Sequence, residues 1–251
     1  MFRLDGQVAL VTGAGRGLGA ETAVALSEAG AELVLLSRTC EELEEVAKRI
    51  AAKNGRARVL ACDVTDGSKV RSEIARIEQL DILINNAGTN IQEPFVNVSE
   101  DHFDRILALN VRAAFFVAQA AVRKMMETPD RVKRGGVVIN VSSQMGRVGA
   151  PMRTVYCLTK HAIEGMTKAM AIELAPKNIR VNAIAPTFIE TPMTASFFAN
   201  PEFRHWVTSR IPLGRIGKTE EVIGAIIFLA SSAASLITGA SLAVDGGWTA
   251  Q

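Results

Sequence analysis

The chain has 251 residues, with 28 Lys and Arg against 26 Asp and Glu for a net charge of +2, which leaves no basic excess for an electrostatically driven nucleic-acid binder. Hydrophobic residues at 48% and charged residues at 22% exclude wholesale disorder, and a chain this long buries most of its apolar surface without staples. Cys40, Cys62 and Cys157 show neither CxxC nor CxxH spacing, so they imply no disulfide framework, no zinc site and a reducing compartment.

Met1 to Gly6 carries no secretory signal pattern, and a cytoplasmic location is expected. Gln7 to Thr12 reads as the first strand and Gly17 to Gly30 as the helix after it. Glu32 to Ser37 is the second strand, followed by an amphipathic helix from about Glu41 to Ala52. Ala57 to Cys62, a helix from Asp66 to about Gln79, and the strand Asp81 to Asn85 come next. Ser99 to about Met126 reads as one long helix with Ser99 as its N-cap. Gly136 to Val141 (strand), Arg153 to Ala175 (helix) and Ile179 to Ile184 (strand) follow, and Leu242 to Val244 closes the sheet. The stretch Val222 to Val244 has no charge, but its apolar core ends at Ala230, about half of what a bilayer needs. It reads as a buried helix, a turn and a buried strand, so no membrane partner is expected.

Continuous rather than alternating hydrophobicity in the strands predicts coverage on both faces, hence a parallel sheet between helical layers. About seven such units without linker or repeat predict an α/β fold: one doubly wound domain over residues 1–251 with a seven-stranded parallel sheet. A barrel of eight strand–helix units is the rival, and the glycine pattern at the first turn disfavours it.

That turn is Thr12-Gly13-Ala14-Gly15-Arg16-Gly17-Leu18-Gly19. Glycines let the backbone turn tightly and approach a pyrophosphate, whose charge the free N–H groups of a helix N-terminus favour. The spacing is G-x-x-x-G-x-G rather than G-x-G-x-x-G. An NAD site wants an acid at the end of strand two, whereas a 2′-phosphate wants cations. Ser37 and Arg38 stand there, Arg16 lies on the same side, and no acid comes before Glu41. NADP(H) is therefore expected over NAD(H). Asp63 could accept from the adenine amino group with Val64 against the ring, or Asp63 could cap the next helix. Asn85-Asn86-Ala87-Gly88 ends strand four with small residues and amides that can pass beneath an adenosine.

Ser142 and Ser143 follow strand five, and Tyr156 and Lys160 form a Y-x-x-x-K pair on one helical face. Tyr156 is the chain's single tyrosine. A phenol with a pKa of about 10 is a poor base at neutral pH, and a neighbouring ammonium favours the phenolate. Thr12-Gly13-x-x-x-Gly17-x-Gly19, Asn85-Asn86-Ala87-Gly88, Ser143 thirteen residues before Tyr156, Tyr156-x-x-x-Lys160 and Val244-Asp245-Gly246-Gly247 occur in this order. Together they resemble the short-chain dehydrogenase/reductase family, from about residue 5 to 249. The resemblance implies a Rossmann-like fold and an NAD(P)-dependent oxidoreductase of alcohols and ketones, a homotetramer or homodimer. It implies Tyr156 as acid/base, Lys160 lowering its pKa and binding the nicotinamide ribose, and Ser143 orienting the substrate oxygen. Asn110 would hold a proton-relaying water. Pro186-Thr187 departs from the family's Pro-Gly, while Ile189 and Thr191 fit contacts to the carboxamide.

Specificity is expected in a lid at about 187–215, carrying Phe197, Phe198, Phe203, His205, Trp206 and Arg210. Asn90, Gln92, Gln144, Met145 and Arg153 would face it. These polar groups suit a small sugar, sugar acid or polyol. A 3-oxoacyl-thioester reductase is the alternative, with Arg123, Lys124, Arg131, Lys133 and Arg134 as a docking patch for an acidic carrier. A non-catalytic NADPH-binding regulator is the remote third reading, which an intact Ser143, Tyr156 and Lys160 disfavour. The histidines (His102, His161, His205) are scattered, so no metal site is expected. Phe115 and Phe116, with the Leu158, Ile163, Met166 and Met170 face, are expected to form a subunit interface.

Overall fold

The computed structural model describes residues 1–127, 135–191, 194–195 and 198–250. Seven strands form one parallel sheet: β1 (Val8–Thr12), β2 (Glu32–Ser37), β3 (Ala57–Ala61), β4 (Ile82–Asn85), β5 (Gly136–Val141), β6 (Ile179–Pro186) and β7 (Ser241–Val244). Their order in the sheet is β3-β2-β1-β4-β5-β6-β7. Side chains alternate across the sheet. Ala9, Val11, Leu33, Leu35, Ile82, Ile84 and Ile139 pack into one core; Leu10, Val34, Leu36, Leu83 and Val138 pack into the other. Both faces are thus apolar, which explains the unbroken hydrophobic runs.

Helices α1 (Gly17–Glu28) and α2 (Cys40–Ala51) close the first core. Helix α3 (Gly67–Ala75) packs on the opposite face with the long segment that begins at Glu100. Asp66, whose carboxylate accepts from the Ser68 and Lys69 amides, caps α3. Helix α3 ends at Ala75, four residues short of expectation. The segment after β4 divides into α4 (Glu100–Leu107), a wider π-helical turn over Ala108–Ala113, and α5 (Ala114–Glu127). Ser99 caps α4 through the His102 amide. By length and composition Glu100–Glu127 could cross a membrane, and half of its most apolar window is buried in the fold.

Helix α6 (Thr154–Leu174) leads into β6, which runs two residues past the expected end at Ile184. Helix α7 (Pro201–Thr208) is capped by Asn200, with Pro201 in its first turn. Helix α8 (Thr219–Ala230) lies in the first core. Strand β7 is half-buried rather than buried because it is the sheet's edge, paired only to β6. The chain reverses order between β1 and β4, which are adjacent while β2 lies on the other side of β1. At such a switch point the carboxyl ends of the strands open a crevice.

Candidate active site

Gly13 (φ +64°) and Gly17 (φ +57°) adopt the left-handed conformation at this crevice. A Cβ on Gly15 would lie 2.7 Å from a Glu42 carboxylate oxygen and 3.1 Å from the Ser37 hydroxyl. Gly19 is buried, and α1 begins after Arg16 with no side-chain cap and no acid in its first turn. Its first N–H groups remain for an anion. The Asn86 side chain donates to the Thr12 carbonyl at 2.9 Å, while the Asn86 and Ala87 amides donate to the Thr12 hydroxyl at 2.9 and 3.0 Å. Those bonds fix the glycine turn against β4. Gly88 brings the chain close to Asn110 Oδ1 and Lys160 Nζ, at 3.3 and 3.8 Å from a built Cβ. Glycines that no Cβ could replace, over an uncapped helix start, fit a dinucleotide.

Arg38 is exposed at the end of β2. Arg16 reaches Glu42 Oε1 at 3.8 Å. Glu42 escaped the sequence reading because it lies in the first turn of α2, which folds back over Gly15. Asp63 accepts from both the amide and the hydroxyl of Thr65, at 2.9 and 2.7 Å. It therefore forms an Asx turn and does not cap α3, a role that Asp66 takes three residues later. Val64 is buried in the core under β3. Pro186 pairs with Val244, and Ile189 bridges to Gly217. The Ile189 carbonyl accepts from the Thr194 hydroxyl, which also meets the Thr191 hydroxyl at 3.1 Å. Thr187 donates its amide to Val244, and its own hydroxyl is buried without a partner.

Ser143 opens a short helical turn, its hydroxyl accepting from the Met145 amide at 3.1 Å. The same hydroxyl is hydrogen-bonded to the Tyr156 phenol. Burial pushes the phenol up to about 12, against the downward pull of the Ser143 bond. Lys160 Nζ sits 5.5 Å from the Tyr156 ring centroid and donates to the Val141 carbonyl at 2.8 Å. Burial lowers it to about 8, partly opposed by Glu164. Burial outweighs every other influence on the phenol, and the Lys160 ammonium is oriented by the Val141 carbonyl beside it. Asn110 is buried nearby. Its Oδ1 accepts from the Thr89 amide, and its Nδ2 donates to the Thr89 carbonyl and the Thr159 hydroxyl. Both amide hydrogens are used, so the side chain ties the β4 loop to α6. The π turn supplies the change of phase that brings it inward. Beneath, Asn85 bonds Asn140, and Asn140 bonds Thr167 at 2.9 Å. Asn85 stands out in the sequence as part of Asn85-Asn86-Ala87-Gly88, whereas nothing there marks Asn140, alone inside β5, as its buried partner.

Around Tyr156 lie several buried groups without partners: both ends of the Gln144 amide, Asn90 Oδ1, Gln92 Nε2 and Arg153 Nη2. Met145, Phe188, Phe198, Phe203, Trp206, Trp248 and Tyr156 share one apolar cluster. Trp206 stacks on Phe203 at 5.8 Å, with Arg210 4.4 Å above its ring. The aromatics of α7 therefore pack on one another. His205 is exposed on the outer side of α7 and does not join the site, since the helix turns Phe203 and Val207 inward. Phe197 lies outside the described residues, as do Arg131, Lys133 and Arg134 of the basic run. Lys124 is not free for docking: it donates to the Ala75 carbonyl and pairs with Glu127.

The family profile described as enoyl-(acyl carrier protein) reductase matches residues 13–249. Over 251 residues the chain is 37% identical to the L-xylulose reductase of Bos taurus, covering 99% of each. It is 39% identical to the 3-oxoacyl-[acyl-carrier-protein] reductase of Thermotoga maritima, over 98% of this chain and 99% of the relative. A gluconate 5-dehydrogenase from Burkholderia cenocepacia, solved with NADP and tartrate, superposes with a TM-score of 0.94 at 36% identity, covering 100% of this chain and 98% of that one.

Proposed function

The chain belongs to the short-chain dehydrogenase/reductase family, and from that premise we propose an NADP(H)-dependent oxidoreductase that interconverts a carbinol and a carbonyl on a small sugar, sugar acid or polyol. One observation carries the substrate class. The amide of Gln144 is buried at 1% exposure with neither end bonded, and half-buried Asn90 and Gln92 each leave one amide atom unpartnered, Oδ1 and Nε2 respectively. Buried polar groups need partners, and a hydroxyl-rich substrate supplies them where an acyl chain does not. The names of the L-xylulose reductase and gluconate 5-dehydrogenase relatives support the reading. The 39% identical thioester reductase supports the alternative substrate.

When bound, the reduced nicotinamide supplies the hydride for the carbonyl carbon. The glycine turn and the start of α1 would hold the pyrophosphate, Asp63 and Val64 would border the adenine, and Lys160 would hold the ribose of the nicotinamide. Pro186, Ile189 and Thr191 would border its carboxamide. Tyr156 donates its proton to the substrate oxygen, and Ser143 stabilises the charge that develops there. A phenol whose pKa is about 12 stays protonated at neutral pH, which suits reduction. Asn110 positions Thr159 and the β4 loop around the centre. Residues 187–215 act as the lid. NADPH carrying deuterium at the transferable position should place one deuterium on the new carbinol carbon of a polyol product. Transfer only to a 3-oxoacyl thioester would reject the substrate assignment.

For coenzyme choice, Arg38 at the end of β2 is the cation for the 2′-phosphate, with Arg16 as its companion. The NADP named with the Burkholderia cenocepacia structure supports this. Glu42 beside Arg16 works against a dianion. Arg38→Asp should shift the NADPH-to-NADH affinity ratio about ten- to a hundredfold toward NADH, the size expected for one charge-assisted bond. Glu42→Gln should shift it toward NADPH. Fluorescence titration reads both, and an unmoved ratio in Arg38→Asp removes Arg38 from the site.

We also place the protein in the cytoplasm, as a homotetramer or homodimer without membrane or nucleic-acid partners. Exposed Phe115 and Leu158 support the assembly, whereas Ile163 is core. Gel filtration should give a mass at least twice 26.9 kDa; elution as a monomer would refute it.

A further inference from the structure

Arg153 is 4% exposed. Its guanidinium lies 5.6 Å from the ring centroids of both Phe188 and Phe203. Nη1 makes one long bond, 3.4 Å to the Pro151 carbonyl, and Nη2 is buried without any partner. Among the described residues no carboxylate pairs with it, and the ionisable groups that act on it are Tyr156 and Cys157, both of which burial favours in the neutral form. Aromatic faces attract a cation, but they accept no hydrogen bond in the guanidinium plane. A guanidinium cannot shed its charge, and a buried charge left unpaired is strongly unfavourable. Burial indeed pushes its pKa down. The residue sits three positions before Tyr156, in the aromatic cluster that holds Tyr156 and Met145. Gln144, the neighbour of Met145, has its own unpaired amide.

We propose that Arg153 is the receptor for a carboxylate on the substrate, so that the substrate class narrows to a hydroxy or keto sugar acid. This rests on the reading of the site given above. The two oxygens of a carboxylate match the paired donors of a guanidinium edge. The Gln144 amide is placed to take hydroxyls of the same molecule. A phosphate ester dianion fits less well: the other buried cation nearby, Lys160, already donates to Val141. Phe203, on α7, covers the guanidinium, so binding the acid requires α7 to shift and lets it close again over a neutralised pair.

The test compares kcat/KM with NADPH for a keto-aldonic acid, the neutral ketose of equal chain length and that ketose's phosphate ester. The acid should lead by at least about tenfold in the wild type, the effect of one charge-assisted bond. Arg153→Gln should abolish that preference, bringing the acid-to-neutral ratio down about tenfold to near one, chiefly through KM for the acid, and Arg153→Lys should restore part of it. A ratio that Arg153→Gln leaves unchanged, or a preference for the phosphate, overturns the proposal. NADPH titration of each variant checks that it is folded. Should Arg153→Gln fail to fold, the wild type still decides. A small hydroxydicarboxylate should protect it against thermal unfolding in the presence of NADP, and the corresponding neutral tetritol at equal concentration should protect it much less. Equal protection overturns the proposal. Turnover confined to a 3-oxoacyl thioester would remove the sugar reading, while the protection assay would still report on Arg153 separately.

Discussion

Tyr156→Phe is expected to lower turnover by about a thousandfold, within the range general acid–base catalysis contributes, while NADPH affinity stays within a few-fold. The reason lies in what the phenyl ring keeps and loses. It retains the packing of Tyr156 against Met145 and Phe188 in the apolar cluster. It loses the one hydroxyl that bonds Ser143 and carries a transferable proton at neutral pH. Burial makes that proton hard to remove but leaves it available for donation to a carbonyl oxygen. The pH dependence follows from the neighbour. Lys160 titrates at about 8, so its charge is present below that pH and disappears as pH rises through it. In the wild type, kcat/KM for NADPH, which reports groups of the free enzyme, should be level below about pH 8 and fall above it. More than a tenth of wild-type turnover in Tyr156→Phe would exclude the phenol as the proton donor.

Gly19→Ala is expected to weaken NADPH binding at least about a hundredfold and to destabilise the fold by about 2–3 kcal/mol, the cost of overpacking a fixed site. A Cβ there would stand 2.2 Å from the Gly13 carbonyl oxygen and 2.6 Å from Asn86 Nδ2. The first is backbone of the phosphate turn itself. The second is held at 2.9 Å on the Thr12 carbonyl, so neither can retreat without opening the turn. Gly165→Ala is the control. Gly165 lies in α6 with nothing within 4 Å of a built Cβ, and Ala in a helix is favoured over Gly by about 1 kcal/mol. Thermal melts and NADPH titration of the two variants should therefore diverge in opposite directions. Similar behaviour would mean that the turn is not the rigid cradle described above.

The fold was legible in the sequence because its signal is physical and repeated. Strands covered on both faces must be apolar throughout, and Leu10, Leu36, Leu83 and Val138 show that rule in the sheet itself. The glycine turn was legible because Gly13 and Gly17 need positive φ and Gly19 needs the absence of a Cβ. Where the reading departed from the structure, the deciding interaction is distant in sequence or depends on helical phase. Ser99 to Met126 keeps a helical pattern throughout, so nothing marks the π turn that brings Asn110 inward. Asp63 and Asp66 are chemically equal candidates for a cap, and only the backbone path gives the role to Asp66. Glu42 becomes relevant because α2 returns over Gly15. His205 and Arg153 were both reasonable ligands on paper. The phase of α7 sends the first outward, and the aromatic pair Phe188 and Phe203 encloses the second.

The central claim is that the partnerless amides around Tyr156 serve a hydroxyl-rich substrate. Steady-state turnover with NADPH tests it most directly, comparing kcat/KM for ketoses and keto-sugar acids with that for a short 3-oxoacyl thioester in one assay. Turnover is expected in the sugar set, with the thioester at least about a hundredfold poorer, since buried polar groups left unpaired discriminate strongly against the wrong substrate. A thioester that outperforms every sugar would contradict it and place the protein in acyl-chain reduction.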